Sequence, residues 1–163
     1  MFLVEKSLTF LYNNGSFIDT NTEDIIMANV KELLKAEENG SLSFGDYSLT
    51  QKTKLDEFSF EGDVYKVKTF QEITRLEKNG GVVYESVPGS AVHGYKETER
   101  QIAFETEAAD DLQITLEVEP EKEYKVFVND TNIGKLKSSL GGKISFSIEL
   151  DAGETAKVQV VKL

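Results

Sequence analysis

The run Tyr84-Glu85-Ser86-Val87-Pro88-Gly89-Ser90-Ala91-Val92-His93-Gly94-Tyr95 gathers the side chains best suited to chemistry. It sets the single histidine of the chain within a few residues of two tyrosines, a glutamate and two serines. A histidine carries protons near neutral pH, and a tyrosine nucleophile partnered by a carboxylate is one route to glycoside cleavage. Tyr84, Glu85 and His93 are therefore the candidate catalytic residues, and Tyr95 is a candidate ligand-binding residue. The same run also reads as a strand, a Pro-Gly turn and a second strand. Neighbours in a strand point to opposite faces, so Tyr84 and Glu85 are not expected to share a site. The spacing singles out no base together with the acid that would orient it.

Other chemistry is thinner. Glu85, Glu105, Glu107, Asp110, Asp111, Glu117 and Glu119 supply carboxylates in number. Glu105, Glu107, Glu117 and Glu119, however, alternate with Phe104, Thr106, Leu116 and Val118 as solvated strand faces do. Gly134-Lys135 and Gly141-Gly142-Lys143 lack the spacing of a phosphate loop, with Ile144 where the hydroxyl belongs. Asp130 to Gly134 starts like a calcium loop, but no glutamate closes it. The chain has no cysteine and one histidine, which excludes disulfides, thiolate chemistry and a multi-histidine metal site within one chain. No metal and no cofactor is expected.

Charge narrows the partners. With 29 acidic against 18 basic residues the net charge is −11. That opposes nucleic-acid binding, which depends on neutralising phosphates, and docking on anionic lipid. No apolar run approaches the roughly 20 residues of a membrane helix. The opening residues, broken by Glu5 and Lys6, make a poor signal peptide. A cytoplasmic, bacterial protein is expected.

The elements that must position any site are mostly strands. From Gly40 onward the apolar period is two. Expected strands are 41–44, 47–49, 57–61, 64–70, 73–77, 82–86, 102–107, 112–118, 123–129, 132–137, 143–150 and 156–162. Gly62-Asp63, Asn79-Gly80, Pro88-Gly89, Asn129-Asp130, Gly141-Gly142 and Ala152-Gly153 mark turns between them. In 143–150, Ile144, Phe146, Ile148 and Leu150 face one way and Ser145, Ser147 and Glu149 the other. Such strands, dry on one face and wet on the other, predict an antiparallel β-sandwich or jelly-roll-like fold. One helix is expected over residues 28–38, from Val30, Leu33 and Leu34, with Asn29 at its start and Asn39-Gly40 at its end.

Residues 1–26 lack a sustained period. Codons for Glu23-Asp24 can carry a ribosome-binding sequence at a suitable distance from Met27. The expectation is a translated leader over 1–26 and a single domain over 27–163.

From Met27 on, the chain resembles a family of short bacterial proteins that carry the label endosialidase. The resemblance lies in Ser43-Phe44-Gly45-Asp46-Tyr47, in Gly62-Asp63 through Phe70, in Tyr84-Glu85-Ser86-Val87-Pro88-Gly89, and in Thr131 through Lys135 with Leu140 through Lys143. It brings no catalytic residues to carry over. The two arginines, Arg75 and Arg100, are too few for the arginine cluster that typically holds a sialic carboxylate. The chain is also too short for a sialidase propeller of roughly 40-residue blades.

The function expected is non-catalytic: a module that binds a protein partner, a glycan, or copies of itself as a homo-oligomer. The rivals are a glycan-active hydrolase, a carbohydrate-binding module, and a subunit of a larger assembly.

Overall fold

The computed structural model describes residues 32–163, and Leu33–Leu163 form one compact unit. The expected leader and residues 28–31 of the expected helix lie outside the described residues. Among the described residues thirteen strands follow one another, with no helix. One antiparallel sheet holds seven strands: β1 (Leu34–Ala36), β2 (Leu42–Phe44), β7 (Ala91–Glu97), β8 (Gln101–Glu107), β13 (Thr155–Lys162), β10 (Glu123–Val128) and β11 (Thr131–Lys137), in that spatial order. The other holds six: β12 (Lys143–Ile148), β9 (Leu112–Glu117), β6 (Gly81–Val87), β5 (Ile73–Lys78), β4 (Asp63–Phe70) and β3 (Thr53–Phe60). The mainly β, two-sheet architecture expected from the period of two is what the chain adopts.

The inner faces of the two sheets meet in one core. Tyr84 from β6 lies edge-on to Phe44 of β2 (5.3 Å between ring centroids), to Phe104 of β8 (5.5 Å) and to Tyr95 of β7 (6.5 Å). Ile144, Phe146, Ile148 and Leu150 are all buried there, on the face that their alternation assigns them. Ser145, Ser147 and Glu149 are exposed.

The helix expected over 28–38 is corrected by the described part of that segment. Leu34, Lys35 and Ala36 pair with Phe44, Ser43 and Leu42. Asn39-Gly40 is the turn of this hairpin: Gly40 has φ +83°, and Ser41 donates its N–H to Asn39 Oδ1 at 3.1 Å. Helix propensity is a weak preference that sheet pairing overrides, and Asn-Gly signals a helix end and a hairpin turn equally well. Residues 47–49, expected as a strand, form a turn instead. Asp46 Oδ1 accepts the Ser48 N–H at 2.9 Å, a local bond that competes with sheet pairing. β3 is longer than expected because its register slips between Leu55 and Phe58, where Glu57 sits at φ +58°; that bulge interrupts the visible alternation.

Candidate functional site

The strands β6 and β7 are consecutive in the chain but belong to different sheets, so the chemistry-bearing run is split between them. Tyr84 points into the core and is fully buried. Its hydroxyl shares a 2.9 Å hydrogen bond with Ser90 Oγ, which in turn lies 2.7 Å from Ser86 Oγ. Burial pushes the Tyr84 phenol up, and bonds from Ser90, Thr106 and Ser86 pull it part of the way back. The hydroxyl chain continues through Ser90 N–H to Thr74 Oγ1 (3.0 Å) and on to Thr69 Oγ1 (2.8 Å). These groups satisfy one another inside the core, which is what buried hydroxyls require.

Glu85 lies on the opposite, outer face. Arg75, directly across in β5, donates to Glu85 Oε2 from Nη2 at 2.7 Å and from Nε at 3.2 Å. Tyr84 and Glu85 therefore do not form a nucleophile–carboxylate pair. The Glu85 and Arg75 side chains are about 30 % exposed (29 % and 31 %), so water screens the pair. Glu85→Gln is expected to cost less than about 1 kcal/mol in chemical denaturation.

His93 sits half-exposed on the outside of the seven-stranded sheet, with Nε2 3.5 Å from Glu107 Oε1. Glu107 Oε2 also accepts the Tyr47 hydroxyl at 3.0 Å. Burial, then the Glu107 hydrogen bond and charge, raise the Tyr47 phenol. This surface trio places no nucleophile beside the imidazole.

Tyr95 is the candidate that the fold sets in a cavity. Its ring packs on Phe44 and Phe104 (centroids 5.8 and 6.0 Å apart). Among the described residues its hydroxyl is buried without a hydrogen-bond partner. Burial, followed by the charge of Glu97, holds this phenol well above its usual range. Tyr95 lines a cleft of about 440 Å³ between the end of β7, the β1–β2 turn, the β3–β4 turn and the end of β5. Phe60, Tyr65 and Leu42 give the cleft its apolar lining, while Asp63, Lys78, Lys96 and Glu97 supply charge of both signs. Lys78 Nζ lies 3.8 Å from Asp63 Oδ2 and 3.9 Å from Glu97 Oε1. Lys96 Nζ donates to the Asn39 carbonyl at 3.3 Å. Burial, then Asp63 and Glu97, also raise Tyr65. Glu97 lines a second cleft of about 360 Å³ with Arg100, Glu117 and Tyr124.

Of the four candidates only Tyr84 and Tyr95 meet, ring to ring, in the core. The other cleft residues, Tyr65, Lys78, Lys96 and Glu97, were not singled out by sequence. The Asn79-Gly80 turn beside Lys78 and the Gly62-Asp63 turn beside Tyr65 are the sequence signals close to them. Among the described residues no group of three or more histidine or carboxylate side chains is set to hold a metal. No helix there is long and apolar enough to cross a membrane.

Comparison with models of protein families, with curated proteins and with solved structures finds no match.

Proposed function

We propose that Leu33–Leu163 form a β-sandwich of jelly-roll-like form that acts by binding, and that the cleft at Tyr95 takes a hydroxyl-rich ligand, a glycan. One observation carries the reading: a buried phenol without a hydrogen-bond partner lines the cleft. An unpaired buried hydroxyl costs about 1–3 kcal/mol, a cost relieved when binding shifts the cleft wall over Tyr95 and lets a ligand supply the missing partner. Apolar walls with a few convergent polar groups are the usual make-up of a small-ligand site. Interleaved lysines and carboxylates offer a sugar donors and acceptors together.

Tyr95→Phe tests this in two directions. Without ligand the variant is expected to be at least as stable as the parent, because an unsatisfied hydroxyl has been removed from the interior. With ligand, calorimetric titration against a panel of neutral oligosaccharides and polysialic acid should show binding about tenfold weaker than the parent's. Parent protein that binds none of the panel, or a variant that binds equally well, defeats the reading. Sugar release that falls in Glu85→Gln and His93→Ala would establish the hydrolase instead.

A further inference from the structure

We propose that two copies of this chain pair through β12, joining their six-stranded sheets edge to edge about a two-fold axis. Strand edges present unpaired main-chain groups, and proteins normally blunt them. Among the described residues, three of the four sheet edges are blunted. β1 has only three residues. β3 carries the bulge at Glu57 and is charged at Lys54, Asp56 and Glu57. β11 is bent where its register with β10 shifts, has Gly134 at φ +145° with its N–H taken by Asn132 Oδ1 at 2.9 Å, and ends in Lys135 and Lys137.

β12 carries one charge, Lys143 at its first residue, and from Ile144 to Ile148 it has neither charge nor bulge. Its six residues pair with β9 without a register shift, and among the described residues β9 is its sole neighbour. Val118 N–H donates to the Gly142 carbonyl at 2.7 Å, which sets the phase of the ladder. Ile144, Phe146 and Ile148 then bond inward to β9, and the main-chain groups of Ser145 and Ser147 turn outward. Those of Lys143 are already used, since its carbonyl accepts from Ser139 N–H at 3.0 Å and its N–H donates to Ser139 Oγ at 3.1 Å.

The open stretch is self-complementary. With the axis at Phe146, Ser145 of one copy faces Ser147 of the other, and the two pairs exchange about four main-chain bonds. The same register sets Lys143 opposite Glu149 of the second copy, but Lys143 Nζ is held within its own chain by the Val82 carbonyl at 2.6 Å, so the main-chain bonds of Ser145 and Ser147 carry the pairing. Leu140, 80 % exposed, lies in the turn that leads into β12. The surface is thus isologous, as a two-fold dimer requires. It does not involve the cleft, so glycan binding and pairing can fail separately.

Sedimentation of the full chain over a concentration series tests the proposal. A reversible rise from 18.2 kDa towards twice that mass is expected. Ser147→Pro should abolish it with the circular dichroism unchanged, because that N–H makes no bond among the described residues. Should that variant misfold, Ser145→Lys with Ser147→Lys serves in its place, setting like charges across the axis. A monomer at every concentration to about 1 mM, or a dimer that survives the substitutions at Ser145 and Ser147, overturns the proposal.

Discussion

Gly89→Ala is expected to cost about 3 kcal/mol or more and to lower Tm by about 10 °C. A Cβ built on Gly89 would lie 1.9 Å from the Phe70 carbonyl oxygen and 3.1 Å from the Phe70 carbonyl carbon. Both partners are main chain, so no rotamer change relieves the overlap. Neither side is free to move. Phe70 is paired with Ile73 in the β4–β5 hairpin, and Gly89 N–H is bonded to the Gln71 carbonyl at 2.8 Å. A retreat of residue 89 would drag Ser90, which links Thr74 to Ser86 and Tyr84, and would leave buried hydroxyls unpaired. Gly80→Ala is the control. Nothing lies within 4 Å of its Cβ position, so only its φ of +87° is penalised, at about 1 kcal/mol. Equal melting temperatures for the two variants would refute this account of Gly89.

The second large effect appears in alkali. Tyr84 and Tyr95 are both held above their normal titration range by burial. Above about pH 10 the unfolded chain gives up these two protons while the native chain keeps them. The unfolded state then binds fewer protons, so stability falls as pH rises. The contribution is fully present below the unfolded pKa and drains away as pH climbs towards the folded values. Each phenol steepens the unfolding constant by about tenfold per pH unit, and the pair by about a hundredfold. Of the six tyrosines, these two should form phenolate only with loss of the native circular dichroism. Tyr84→Phe and Tyr95→Phe should each make the alkaline limb shallower. Titration of all six near pH 10 with the fold intact would contradict the assignment.

Much of the architecture could be read from residue order because burial on one face of a strand writes itself as alternation. Ile144, Phe146 and Ile148 show it, and the placing of Tyr84 and Glu85 on opposite faces follows from the same rule. The misses share a physical origin: a local signal was shared by two structures, or a bulge broke the period. Leu33-Leu34 with Asn39-Gly40 fits a capped helix as well as a hairpin, and only pairing with Leu42–Phe44 decides between them. Glu57 shifts the phase of β3 midway, hiding the first half of that strand. The cleft was legible at one residue, Tyr95. Tyr65, Lys78 and Glu97 come from separate strands, and nothing in their spacing records that two sheets bring their ends together.

The position of β13 has a kinetic consequence. It lies between β8 and β10, pairing Thr155–Val161 with Gln101–Glu107 and Val158–Lys162 with Tyr124–Val128. Until it arrives, the larger sheet exists as two separate flaps with raw inner borders. The β3-to-β6 meander, whose neighbours are adjacent in sequence, can assemble early; the keystone strand bridges distant partners and is laid in late. Such non-local closure is slow. During refolding, the flaps awaiting that strand are where one molecule is most exposed to capture by another.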